Sequence, residues 1–166
     1  RWPSIFGVTP DGAPIHAFDL ARPSGFRATV CTLGASLIAL QAPDAKGRLA
    51  DVVLNYPPPD PVRHQAGATV GRFAGPIAGG VAHLDGALLA LPCNGGRYHI
   101  HGGEQGFSRR LWNAETRTTP EGPAVRFSRL SPDGEEGYPG NLAATVTYTL
   151  VDGGLRLDYE AQTDRT

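Results

Sequence analysis

The chain has 166 residues, 40% of them apolar, and a formal net charge of −1. That length supports one domain with a substantial core, and the ordinary apolar content excludes a disordered low-complexity chain. The near-neutral charge gives no electrostatic footprint for nucleic acid or an acidic membrane surface, and no apolar run is long enough to span a bilayer.

Twenty-two glycines and 15 prolines call for many turns and few helices. From the front, Ile15–Asp19 and Phe26–Leu33 alternate apolar and polar residues as strands do, with Arg22-Pro-Ser-Gly25 turning between them. Ser36–Ala42 and Ala50–Asn55 follow, joined by Pro43-Asp-Ala-Lys-Gly47, which has hairpin chemistry. Tyr56–Pro61 holds four prolines and is expected to be an extended surface connection. Residues 64–78 are rich in small side chains and show no period. Gly80–Leu84 and Ala87–Leu91 flank Asp85-Gly86, the strongest hairpin signal in the chain.

Residues 92–112 break this rhythm. His99 and His101 lie one residue apart among five glycines, a composition too rich in glycine for a helix. Loops of this kind carry binding and catalytic groups on a rigid scaffold. Beyond it, Leu111–Thr118, Ala124–Leu130, Ala143–Val151 and Leu155–Gln162 again alternate, and Asp152-Gly153-Gly154 closes the last hairpin. No stretch carries a capped helical stripe. About ten short strands with frequent turns predict an all-β antiparallel sandwich or barrel.

Cys31 and Cys93 lack disulfide-framework spacing and sit in apolar stretches, so both are expected as buried free thiols in a reducing cytoplasm. Methionine is absent even at position 1, so the front of the chain is expected to be trimmed. In an extended backbone His99 and His101 point the same way, and with Glu104 they form a candidate metal set of cupin type. Against that stand a structural role for His99 and a different glutamate spacing. Phosphate-cradling, dinucleotide and serine-nucleophile motifs are missing, which leaves proton transfer by histidine and carboxylates on a hydroxyl-rich ligand.

Gly71-Arg-Phe-Ala, Ile77-Ala, His83-Leu-Asp-Gly, Leu91-Pro-x-Asn, His101-Gly-Gly-x-x-Gly-Phe, Leu111-Trp and Ser131-Pro-Asp-Gly-Glu-Glu-Gly-Tyr-Pro-Gly140 together resemble the aldose 1-epimerases, or galactose mutarotases. The blocks keep family order from about Gly25 to Thr166. The resemblance implies that residues 1–166 are the N-terminal part of one galactose mutarotase-like β-supersandwich. It implies interconversion of the α and β anomers of an aldohexose without metal or organic cofactor. In the family a carboxylate takes the anomeric hydroxyl proton while a histidine protonates the ring oxygen.

By the same resemblance His101 matches the active-site histidine that contacts the sugar near the reacting centre. Arg72 matches the first arginine of the Gly-Arg-aromatic-Ala-Asn-Arg motif. The Asn-Arg pair of that motif binds sugar hydroxyls, and Gly75 and Pro76 stand there instead, without side-chain donors. The family's general acid and base follow later than residue 166, so the segment alone is expected to be inactive. Glu135 and Glu136 are the substitutes at hand, but their Pro-Asp-Gly-Glu-Glu-Gly setting is expected to be a solvated turn. Phe107 and Trp112 either stack on a pyranose face or pack as core beside the loop.

The expected partner is a small-molecule sugar, with no nucleic acid and no membrane. Exposed strand edges invite a homodimer. The alternative function is a non-catalytic carbohydrate-binding β-sandwich that keeps His101 and Arg72 as ligand contacts.

Overall fold

The computed structural model describes residues 3–54 and 66–165. Strands β1 (Ser4–Val8), β2 (Pro14–Ala21), β3 (Arg27–Cys31), β4 (Ser36–Pro43) and β5 (Leu49–Asp51) pair antiparallel in chain order as a five-stranded sheet. Next come two small ribbons. Strand β6 (Pro76–Ala78) pairs with β9 (Tyr98–Ile100), and β7 (Val81–Leu84) pairs with β8 (Ala87–Ala90). Strands β10 (Asn113–Thr119), β11 (Gly122–Ser131), β12 (Leu142–Val151) and β13 (Gly154–Thr163) then form a four-stranded antiparallel sheet. Short 3-10 turns occupy Phe107–Arg109 and Glu135–Gly137.

The two large sheets face each other across one core. Period-2 alternation puts Val146, Tyr148 and Leu150 of β12 beside Val125 and Phe127 of β11, opposite Phe18, Leu20, Ala28 and Val30 of the first sheet. Phe127 is central, with its ring edge-on to Phe18 at 6.1 Å and to Tyr148 at 5.9 Å. The Tyr148 hydroxyl donates to the Ala35 carbonyl at 2.7 Å, so a polar tip inside the core is satisfied and ties the sheets together. A smaller cluster of Ile15, Ala17, Cys31 and Leu33 fills the other face of the first sheet.

The register of β12 and β13 sets Leu155, Leu157 and Tyr159 opposite Leu150, Tyr148 and Val146. These three therefore share the core-facing side of their sheet. Leu155 packs against the core, but Leu157 is 37% and Tyr159 60% exposed. The apolar face continues past the area that the first sheet covers.

The all-β antiparallel expectation holds, and most strand positions agree within a few residues. Strand β1 and the β6–β9 ribbon were not anticipated. The three-residue strands of that ribbon carry too short a pattern to register, and their paired residues lie 20–24 positions apart in sequence. The Asp85-Gly86 hairpin forms with both residues at positive φ, 49° and 80°, as a type I′ turn requires. The expected Tyr56–Pro61 connection, the last residue of the 50–55 strand and the start of the 64–78 segment lie outside the described residues.

Cys93 corrects an expectation. It is exposed, because it follows Pro92 on the surface between β8 and β9, whereas Cys31 is fully buried. Burial pushes the Cys31 thiol up to about 11, against bonds from its surroundings that favour the thiolate. Above the ordinary thiol value of 9.0 the unfolded chain gains by ionising Cys31 while the folded chain cannot. Stability is therefore expected to fall as pH rises from 9 to 11, and Cys31→Ala should flatten that part of the profile. Urea midpoints measured under reducing conditions across this window check it; an unchanged slope in the variant contradicts it.

Candidate functional site

The histidine loop sits between the two small ribbons and the second sheet. Strand β9 delivers Tyr98, His99 and Ile100, and the chain then turns sharply. Asn94 braces it from the side: its carboxamide accepts from the Ile100 N–H at 2.8 Å and donates to the Ile100 carbonyl at 3.0 Å, in place of a neighbouring strand.

The two histidines part ways at this turn. His99 lies on β9 and is fully buried. Its Nδ1–H donates to the Pro92 carbonyl at 2.8 Å, which leaves Nε2 to accept the Tyr138 hydroxyl at 2.6 Å. Both ring nitrogens are used, so His99 has no lone pair left for a ligand. Desolvation raises the Tyr138 phenol to about 12, which keeps it a donor at ordinary pH.

His101 lies one residue beyond the strand, at a φ of 52°. Leaving the extended conformation there sends its ring away from that of His99, so the expected common direction is not realised. The Gly75 N–H donates to His101 Nδ1 at 3.1 Å, and the His101 N–H returns a bond to the Gly75 carbonyl at 3.3 Å. With Nδ1 an acceptor, the neutral ring carries its proton on Nε2, on a half-buried side chain. Pro76 is exposed and pairs with Ile100 across the β6–β9 ribbon. Gly75, Pro76 and His101 are thus brought together.

Glu104 lies on the exposed outer part of the loop, 3.6 Å from Arg109. With the His99 nitrogens engaged and Glu104 turned to an arginine, the three do not converge as a metal set. Among the described residues no group of three or more His, Cys, Asp or Glu side chains is placed to hold a metal ion.

Arg72 faces the 131–140 loop. Its Nε–H donates to Ser131 Oγ at 2.9 Å and its Nη1 to the Pro139 carbonyl at 2.9 Å. Its Nη2 donates to the carbonyls of Ser131, Pro132 and Gly140 at 2.8–2.9 Å. The Tyr138 ring lies 5.8 Å from the guanidinium carbon. Burial draws the Arg72 pKa down, against the pull of the Glu135 and Asp133 carboxylates.

Glu135 and Glu136 correct the expectation of a solvated turn. Glu135 accepts from Arg129 Nη2 with both oxygens, at 2.7 and 2.9 Å, and from the buried Ser131 hydroxyl, with Arg110 3.6 Å away. Glu136 reaches the histidine loop, accepting the N–H of Glu104 at 3.0 Å and of Gln105 at 2.9 Å. The partners of Glu136 lie 31 and 32 residues away, beyond any local pattern, whereas those of Glu135, Ser131 and Arg129, lie only four and six residues away; the tandem acidic pair after Asp133-Gly134 is the signal that marks them.

Close approach fixes the glycines here. A Cβ on Gly102, at φ 82°, would lie 1.5 Å from the Gly71 carbonyl oxygen. Phe107 and Trp112 resolve as core: both are buried, edge-to-face at 5.4 Å, and the Trp112 indole N–H donates to the Phe107 carbonyl. The aromatics left at the surface of this region are Phe73, 45% exposed, and Tyr98, 40% exposed. A cavity of about 670 Å³ lies elsewhere, on the flank between β2 and the start of β10, lined by His16, Phe18, Thr32 and Trp112 among others. None of its lining residues belongs to the His101 turn.

A family model described as aldose 1-epimerase matches residues 16–166. The chain is 40% identical to galactose mutarotase of Sus scrofa over 167 aligned positions, covering 98% of this chain and 47% of that protein. It is 33% identical to aldose 1-epimerase of Escherichia coli, covering 95% of this chain and 46% of that protein. The crystal structure of galactose 1-epimerase from Lactobacillus acidophilus superposes with a TM-score of 0.85 at 27% identity, over 98% of this chain and 48% of the other. The chain spans about half the length of the relatives it matches.

Tyr138→Phe removes the donor to His99 and leaves a buried ring nitrogen unpaired, which is expected to cost about 1–3 kcal/mol of stability. Urea denaturation checks this; a variant as stable as the unsubstituted chain contradicts the assignment of His99 as a closed structural group.

Proposed function

Because this chain belongs to the aldose 1-epimerase family, we propose that residues 1–166 form the N-terminal part of one galactose mutarotase-like sandwich, in a protein that interconverts the α and β anomers of an aldohexose. The observation that carries the reading is the state of His101: Nδ1 is occupied by the Gly75 N–H, so Nε2–H is the donor turned to a ligand. Opening the pyranose breaks the bond between the anomeric carbon and the ring oxygen, and a proton passes from the anomeric hydroxyl to a base while another reaches the ring oxygen. His101 Nε2–H donates to a sugar oxygen at that centre and stabilises charge as the ring opens. The acid and base themselves are assigned to residues following this segment. No metal or organic cofactor enters the scheme.

Gly75 and Pro76 border the same sugar face and shape it by backbone and ring rather than by donors. Arg72 serves this face from behind, holding the loop that carries Gly75. Phe73 offers the exposed ring for a pyranose face that the buried Phe107 and Trp112 do not. The missing side-chain donors at 75 and 76 also favour the second reading, a carbohydrate-binding sandwich without chemistry. In the longer protein, His101→Asn is expected to lower kcat/KM for anomerisation by roughly 100-fold, the worth of one charge-stabilising donor. Polarimetry checks it, and the 166-residue chain alone should not exceed the buffer rate. Loss of sugar binding without any anomerisation in the unsubstituted protein selects the binding module instead.

No helix among the described residues is long and apolar enough to cross a membrane. We place the protein in the cytoplasm, a setting that the free thiols Cys31 and Cys93 support. For the 166-residue chain by itself we also propose a homodimer through β13. Its two-fold pairing with Leu157 opposite Leu157 sets Arg156 against Asp158 of the second copy and Leu155 against Tyr159, so both faces match. Leu157→Lys puts like charges at the two-fold and is expected to shift the chain to monomer in sedimentation equilibrium; an unchanged mass removes this interface.

A further inference from the structure

Two residues other than glycine near the site stand in the left-handed region, His101 at φ 52° and Glu136 at φ 53°. Such conformations persist where surrounding contacts over-determine them, and they cluster at functional positions. Here the contacts run directly between the two segments. Both oxygens of Glu136 are taken by the loop that follows His101, one by the N–H of Glu104 and the other by that of Gln105. Gly103 lies between, at φ 102°, and a Cβ there would come within 2.1 Å of the Glu136 carboxylate. The Gly103 N–H closes back on the Ile100 carbonyl at 3.1 Å. From Ile100 to Gln105 the turn is therefore held at both ends, and His101 is the only side chain inside it that faces the Gly75 N–H.

We propose that Glu136 is a positioning residue for His101: by gripping the N–H groups of Glu104 and Gln105 it fixes the turn at His101, and with it the bond from Gly75 to Nδ1 and the direction of Nε2–H. Glu136 touches neither the imidazole nor, on this assignment, the sugar. Its carboxylate suits the task because two oxygens can accept two adjacent amides at once, which a carboxamide cannot. Glu135 does a different job in the same turn: it neutralises Arg129 and orients Ser131, and so keeps the 131–140 loop in place for its neighbour to act. The consequence for sugar recognition rests on the reading of His101 as a sugar contact; the positioning itself does not.

The test compares the unsubstituted chain with Glu136→Gln, using Glu104→Gln as a control whose side chain is exposed. The ring ¹⁵N signals of His101 report its tautomer, and amide exchange reports the Glu104 and Gln105 bonds. In the unsubstituted chain His101 is expected to show Nε2 protonated and Nδ1 free. In Glu136→Gln the ring signals should move toward a mixture of tautomers, and the two amides should exchange about tenfold faster or more, as loss of a charged acceptor implies. Amides of Val146 and Tyr148 in the core should not change, which separates this from general loosening. Glu104→Gln should leave every signal in place. A folded Glu136→Gln chain with unchanged His101 signals overturns the proposal. Should that variant not fold, the unsubstituted chain still decides: exchange of the Glu104 and Gln105 amides as fast as in an open loop overturns it equally. Adding D-galactose to the unsubstituted chain is the separate arm. If His101 does not respond, the sugar reading falls, and the positioning assignment stands on the tautomer and exchange results.

Discussion

The Arg72 guanidinium is the constraint around which the site is arranged. Its side chain donates to Ser131 Oγ and to the carbonyls of Ser131, Pro132, Pro139 and Gly140, so it pins both limbs of one loop. Arginine is the only side chain with enough donors in a fixed plane to do this; lysine has three, without the fork. Because Arg72 lies three residues before Gly75, the same anchor sets the height at which the Gly75 N–H meets His101. Two short segments far apart in the chain are thereby placed against a third, the 131–140 loop, which emerges from β11 and returns into β12. The large core beneath β11 and β12 supplies the rigidity that a surface loop lacks by itself.

Polar satisfaction carries this region further than apolar packing does. Ser131 is fully buried and both accepts from Arg72 and donates to Glu135, so a buried hydroxyl links a cation to an anion. Tyr138 reaches His99 from the other side of the same loop, and Glu136 reaches the backbone beyond His101. A network of this kind selects a single loop geometry through the members that are satisfied, and Arg129 Nη1 is a buried donor in it left without a partner. By contrast, the sandwich ends unevenly. Leu157 and Tyr159 extend the core-facing side of β13 past the first sheet, in a chain that spans about half the length of its relatives.

What could be read from the sequence divides by range. The hairpin at Asp85-Gly86 and the long strands β11, β12 and β13 announce themselves through turn residues and period-2 alternation, which are local properties. The loop around His101 stands out by its glycines, and the block resemblance carries the family. The partners of Arg72 lie 59 to 68 residues away, and those of Glu136 lie 31 and 32 residues away. No local pattern encodes such bonds. For that reason Glu136 reads as part of a solvated turn; Glu135 reads so too, although its partners Ser131 and Arg129 are only four and six residues away, while His99 and His101 read as a pair on one face and Cys93 as buried. In each case the immediate neighbours point one way, and a contact with another segment, a single positive φ or a place at the surface decides otherwise.

The most direct test of this account is the NMR spectrum of the Arg72 guanidinium in the 166-residue chain. Held at every nitrogen, the group cannot rotate freely about its Nε–Cζ bond or exchange quickly with water. Separate, slowly exchanging Nε–H and Nη–H signals are expected for Arg72 at room temperature, unlike the averaged Nη–H signals of Arg48, whose side chain is 76% exposed and bonds Asp44 through Nε. A single averaged, rapidly exchanging Nη–H signal for Arg72 would contradict it.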